Sequence, residues 1–189
     1  LLVSSLDAFK DYQQKEAWVW EHQALTRARG LAGEPNLLAK FEDCRKAILA
    51  SVRDRKVLKA EVIKMREKMR AHLDTGGKEK GFDLKQGAGG IIDIEFMVQY
   101  FVLAWSYKYP ELMRFSDNVR QLEAVAFVGL LDADQAEKMI DNYTLYRSRT
   151  HRLSLQQQGR VIQDDALVDS QILVSQYWDR FVMTDDIKT

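Results

Sequence analysis

The residues with most chemical promise lie in the run Phe82-Asp83-Leu84-Lys85-Gln86-Gly87-Ala88-Gly89-Gly90-Ile91-Ile92-Asp93-Ile94-Glu95-Phe96, a glycine-rich turn that enters an apolar helix. Glycines let backbone N–H groups come close to a ligand, and the first turn of a helix offers unpaired donors and partial positive charge. A phosphate can therefore sit against Gly87, Gly89 and Gly90 with Lys85 beside it. The competing reading is mechanical: the glycines turn the chain tightly against a crowded core, and Asp93 offsets the helix dipole. Short glycine motifs recur by chance, so spacing alone weighs toward the mechanical reading. Asp93 and Glu95 stand two positions apart and point to different sides of a helix, which is wrong for a shared metal ion. The pattern predicts a cap or salt bridge for Asp93 and a basic partner on a neighbouring helix for Glu95.

A second candidate is Trp18-Val19-Trp20-Glu21-His22-Gln23-Ala24-Leu25-Thr26-Arg27-Ala28-Arg29. On a helix, Trp18, Glu21, Leu25 and Arg29 fall near one stripe, and Trp20, Gln23 and Arg27 near another. Glu21, Arg27 and Arg29 can line a nucleotide site walled by the two indoles, or the segment can be an interhelical seam with Glu21 paired to Arg29. These two readings stand level. His22, His72 and His151 have no partner histidine four residues away, so the zinc-protease arrangement is absent. No strand–turn–helix nucleophile elbow frames any serine. Lys56, Lys59, Lys64, Arg66, Lys68 and Arg70 are interleaved with acids and read as a solvated face rather than a nucleic-acid stripe.

The elements that must position these groups are helical. Only Pro35 and Pro110 interrupt 189 residues, and the long stretches between them are rich in strong helix formers. Ser4 or Ser5 can cap a first helix through Ala8, Phe9 and Tyr12. Further helices are predicted over 16–29, 36–50, 53–73, 91–108, 117–128, 133–154 and 165–181. Leu58, Val62, Met65, Met69 and Leu73 recur every three or four residues, the stripe of an amphipathic bundle helix. Residues 91–108 are apolar on nearly every face and should form the most buried element. Ala136, Met139, Tyr143, Tyr146, Thr150 and Leu153 form the seam of an antiparallel bundle. Six of the ten glycines fall between Gly76 and Gly90, so that interval is a loop between two helical blocks. The fold class is therefore all-α, an antiparallel helix bundle.

Composition narrows the function. At 46% hydrophobic residues the chain can bury a sizeable core. Its 28 basic and 28 acidic side chains cancel, so no net field draws it to nucleic acid or to an anionic membrane. A lone cysteine, Cys44, can build neither an internal disulfide nor a thiolate metal site, which suits a reducing cytosol. No signal peptide or membrane span is legible, and a cytoplasmic location is expected. Leu1-Leu2-Val3 reads like the tail of a strand, as if cut from a longer polypeptide.

Taken together, the blocks resemble a known family, the bacterial glutamate–ammonia-ligase adenylyltransferases that modify glutamine synthetase. The resemblance rests on Ala8-Phe9 with Asp11-Tyr12-Gln13, on Glu16-Ala17-Trp18 and Trp20-Glu21-His22-Gln23-Ala24-Leu25 with Arg27-Ala28-Arg29, and on Met65-Arg66-Glu67-Lys68-Met69-Arg70. It continues through Gly89-Gly90-Ile91, Asp93-Ile94-Glu95-Phe96, Gln99-Tyr100 and Ser116-Asp117-Asn118-Val119-Arg120. The turn from Lys85 to Ile91 is also similar to one in the uridylyltransferases of PII signal proteins. The Trp-Glu-His-Gln block looks like the C-terminal, attaching half of a two-part enzyme.

The resemblance implies transfer of AMP from ATP, with Mg2+, to a tyrosine of glutamine synthetase, under control of PII signal protein and glutamine. It also implies two-metal chemistry on carboxylates of an α/β nucleotidyltransferase domain. The family's Gly-Ser-Asp-Leu-Asp motif, and its later Asp before an Arg-Leu-Arg-Pro run, are absent from these residues. They are expected upstream of Leu1, so the chain by itself is expected to be inactive and no catalytic residue or metal ligand is assigned. Residues 1–50 are then the helical end of the nucleotidyltransferase domain or its linker, and 51–189 a C-terminal bundle with the glycine-rich loop 76–90. Lys85 and Arg27 lead the nucleotide- or substrate-contact candidates. The other readings are an interaction module for PII protein or glutamine synthetase, and the deadenylylating half of the same enzyme.

Overall fold

The computed structural model describes residues 3–71, 81–163, 165–184 and 187. Eight α-helices account for most of these: α1 Leu6–Lys15, α2 Val19–Arg27, α3 Pro35–Leu49, α4 Arg55–Ala71, α5 Ile91–Trp105, α6 Asn118–Phe127, α7 Ala133–Leu155 and α8 Val168–Trp178. The fold is predominantly all-α, as the pattern predicts. A two-residue pairing, β1 Phe82–Asp83 against β2 Val161–Ile162, is the one sheet among the described residues. Leu73 and His72 lie outside the described residues, as do Leu1 and Leu2, on which the strand reading rested; Val3 is exposed coil.

Helix ends follow local chemistry. The Ser5 hydroxyl accepts the Ala8 N–H at the start of α1, Asp117 accepts the Arg120 N–H at the start of α6, and Pro35 opens α3. The second helix begins at Val19 rather than near Glu16, because the chain turns at Trp18 and Glu21 reaches back to the Trp18 N–H at 2.9 Å.

Helix α5 is the axis. Fourteen of its fifteen residues are buried, and α2, α4, α6, α7 and α8 all pack on it. A helix apolar all round can satisfy no other environment short of a membrane, and no described helix is long and apolar enough to cross one. The predicted seam of α7 is buried at Ala136, Met139, Tyr143 and Tyr146, while its last two positions, Thr150 and Leu153, are half-buried. One continuous cluster runs from Leu25 through Ile48, Leu58 and α5 to Phe181 and Val182.

The solvated-face reading of α4 needs correction. Lys56, Lys64 and Lys68 are exposed, but Arg66 is fully buried and Arg70 half-buried. The reason is Asp93, whose carboxylate accepts from Arg66 Nε at 2.5 Å and from Arg70 Nη2 at 2.9 and 2.7 Å. Burial pulls the Arg66 guanidinium below its usual value, and the adjoining Asp93 charge opposes that shift.

Candidate functional site

The entry to α5 shows what its glycines do. Gly89 has φ +78°, and a side chain there would strike the Gln171 carbonyl of α8. The amide donors a phosphate would need are engaged within the chain. Gly89 N–H donates to Asp93 Oδ2 at 2.7 Å, Gly87 to the Asp83 carbonyl at 2.8 Å and Gly90 to Gly87 at 3.0 Å. Ile91 and Ile92 N–H groups reach back to Leu84 and Lys85 at 2.9 and 3.1 Å. Gly87, Gly89 and Gly90 thus serve a tight, closed turn, with Asp93 in the place an anion would take. What the turn presents outward is Lys85, whose side chain is exposed.

Glu95 leaves α5 roughly 200° from Asp93, since each residue turns a helix by about 100°. Its Oε1 accepts from Arg27 Nη1 of α2 at 3.1 Å, Asn118 Nδ2 of α6 at 3.3 Å and the Tyr143 hydroxyl of α7 at 3.2 Å. Asn118 Nδ2 also donates to the Tyr143 oxygen at 2.7 Å, and Arg147 Nη1 donates to it at 3.1 Å. One carboxylate therefore fixes four helices at a point where guanidinium groups from α2 and α7 approach each other. The predicted cross-helix partner of Glu95 is Arg27.

Three cavities open in succession along this region. The first, about 370 Å³, is lined by Lys85, Glu95, Arg147, Thr150 and His151, among others. The second, about 600 Å³, is bounded by Arg27, Arg29, Leu31, Ser116, Asp117 and Arg147. The third, about 410 Å³, lies among Arg29, Leu38, Arg114, Phe115 and Arg120. Arg147 is common to the first two, while Ala28, Arg29 and Ser116 are common to the last two. They form one trough. Its acids are already engaged: Glu95 by Arg27, Asp117 by Arg120 Nε at 2.7 Å, and Glu42 by Arg45 Nη2 at 2.7 Å. Each of these pairs takes up one cation, and Lys85, Arg29, Arg114 and Arg147 remain in excess, so the trough is cationic on a chain whose formal net charge is zero.

Lys85 thus comes onto the same trough as Arg27 and Arg29, more than fifty positions away in sequence, with Arg147 lining both the cavity of Lys85 and the cavity of the two arginines. Glu21 is not with them; it accepts the Tyr12 hydroxyl at 2.7 Å and the Trp18 N–H, tying α1 to α2. The Glu21–Arg29 seam is not formed, because α2 stops at Arg27 and the stripe does not extend to Arg29. Trp18 and Trp20 are 65% and 45% exposed and line none of the three cavities. Sequence reasoning missed Arg147 and the role of Tyr143, which it placed in the seam alone. The spacing of four between them was the available signal, since it puts both on one edge of α7. Among the described residues no three His, Cys, Asp or Glu side chains cluster as a metal ion would need.

Fold and site define a helical module with a cationic trough across one side. Residues 1–44 match the family model of glutamate-ammonia ligase adenylyltransferase, and residues 59–177, more than half the chain, match that of GlnD PII-uridylyltransferase. The bifunctional glutamine synthetase adenylyltransferase/adenylyl-removing enzyme of Hahella chejuensis is 48% identical over 95% of this chain. That of Acinetobacter baylyi is 47% identical over 96%. The chain belongs to the glutamine synthetase adenylyltransferase family, within the wider group that the uridylyltransferase model describes. It spans about a fifth of the length of these two relatives, 19% and 20%.

Proposed function

We propose that this chain is the helical portion of the adenylylating half of an enzyme that transfers AMP from ATP to a tyrosine of glutamine synthetase, and that its trough holds the nucleotide's phosphates. The observation that carries this reading is the convergence of Lys85, Arg27 and Arg147 beside Glu95. Phosphoryl oxygens are best held by charge-assisted bonds from Arg and Lys in a partly desolvated groove. Because Glu95 and Tyr143 fix Arg27 and Arg147 in advance, little ordering is left for the ligand to impose.

Among the described residues no three His, Cys, Asp or Glu side chains come together, and no metal-assisted step is assigned to them. In this reading the metal-binding carboxylates and the nucleotidyltransferase sheet belong to the rest of the protein, and so does control by PII signal protein and glutamine. Calorimetric titration of Mg-ATP into the full-length enzyme tests the proposal. Lys85→Ala with Arg147→Ala should raise Kd about tenfold or more, as loss of two charge-assisted contacts predicts. An unchanged Kd refutes the phosphate contact.

The relatives are named for adenylyl removal as well as transfer, which favours a second reading, the deadenylylating half. Mass spectrometry of glutamine synthetase incubated with the corresponding half-enzyme separates the two, by gain or loss of one AMP per modified tyrosine.

A further inference from the structure

The far end of the trough is built differently from the end beside Lys85. There two guanidinium groups approach the Phe115 ring, Arg114 at 5.1 Å and Arg120 at 4.4 Å from its centroid. Arg29 stands on the same cavity, with Leu38, and the adjoining cavity adds Leu31, 80% exposed. The cavity's acid, Glu42, is held by the buried Arg45, which donates to both of its oxygens at 3.0 and 2.7 Å. What faces a ligand is therefore the apolar surface of Leu38 and Phe115, with Leu31 at its edge, rimmed by three exposed arginines, of which Arg120 has its Nε paired with Asp117 and its terminal amino groups left for a ligand. Guanidinium groups stacked on an aromatic ring remain available to carboxylates through their N–H edges.

We propose that this end of the trough docks an acidic peptide segment of the protein being modified, with apolar side chains set on Phe115 and its carboxylates on Arg29, Arg114 and Arg120. The inference rests on the phosphate reading of the Lys85 end in one respect, continuity. Arg29 and Ser116 join this cavity to the next, and Arg147 joins that one to the Lys85 cavity. That continuity gives a chain bearing a hydroxyl a path along the trough to a phosphate held near Lys85 and Arg147. Charge complementarity selects an acidic chain, and the apolar floor selects a peptide over a simple polyanion.

The test uses the full-length enzyme and a fluorescein-labelled peptide of alternating glutamate and leucine with one tyrosine, read by fluorescence anisotropy. Arg114→Ala with Arg120→Ala should weaken peptide binding about tenfold, the loss expected when two charge contacts are removed. The same variant should raise KM for the protein substrate while leaving KM for ATP in place. A matched peptide with glutamine for every glutamate should bind the wild-type enzyme no better than the acidic peptide binds the variant. Lys64→Ala, a cation that lines none of the three cavities, should change neither value. Arg114→Lys with Arg120→Lys retains the charge and should recover part of the affinity, which a folding defect would not. The proposal fails if the acidic peptide binds the double alanine variant as tightly as wild type, if the glutamine peptide binds wild type equally well, or if a single-stranded oligonucleotide displaces the peptide at lower concentration than unlabelled peptide does. Anisotropy requires no turnover, so peptide binding that survives alongside an unchanged ATP affinity in the Lys85 variant would refute the phosphate reading and leave this one standing.

Discussion

Asp93 and Glu95 show how two like residues, two positions apart, acquire opposite duties. Asp93 is 1% exposed and is held by two guanidinium groups and a backbone N–H, so its charge is consumed in holding the glycine turn against α4. Glu95 is only part-buried, and it holds Arg27 at the wall of a groove. Removing the first should cost fold. Asp93→Ala leaves Arg66 charged, fully buried and without its carboxylate, a loss of about 3–5 kcal/mol by comparison with other broken buried pairs. Urea unfolding monitored by circular dichroism checks this, and Asp93→Asn, which keeps one acceptor, should lose less. Both acidic roles were foreseen from helix geometry. Arg66 was not, because an arginine among acids on an amphipathic helix reads as solvated until its partner on another helix is known.

At the scale of elements, the α1–α2 corner is held by polar contacts more than by packing. His22 of α2 donates from Nε2 to the Gln13 carbonyl of α1 at 2.9 Å, while its Nδ1 lies 3.4 Å from Arg53 Nη2. Burial pushes the imidazole below its ordinary value of 6.5; the bond to Gln13 opposes this, the Arg53 charge adds to it, and the Glu21 charge opposes it weakly. In the unfolded chain His22 takes up a proton near pH 6.5, whereas the folded chain resists until lower pH. Stability from this group is therefore complete above pH 7 and declines as pH falls below 6.5 toward the folded value. Thermal melts of wild type and His22→Gln between pH 7.5 and about 5 should show a shallower decline in the variant across the lower part of that range. Equal slopes would mean that His22 is not the titrating group. Elements themselves were legible nearly to their ends, since caps and proline act locally. The start of α2 was misplaced because Glu21 caps it from inside the helix, a contact that helix propensity does not register.

The whole molecule is organised by α5, on which five other helices pack. Amide exchange should follow that hierarchy. Groups in the middle of α5, such as those of Val98 and Phe101, should exchange only through global unfolding, while those of α1, with one buried residue, should exchange by local opening. Hydrogen–deuterium exchange with proteolysis and mass spectrometry measures this directly. Similar protection in α1 and α5 would contradict the arrangement.

Sequence by itself determined the helical class and the central place of α5, because periodicity and capping are properties of neighbouring residues; it left the glycine turn open between a phosphate cradle and a mechanical turn, and the engaged amides of Gly87, Gly89 and Gly90 support the second. It also carried enough matched blocks to indicate the family. Only the tertiary structure decided that Lys85, Arg27, Arg29 and Arg147 share one trough while Glu21 stays at the α1–α2 corner. The gaps between those residues along the chain encode no distance in space; the packing of α2, α6 and α7 on α5, fixed through Glu95, supplies it.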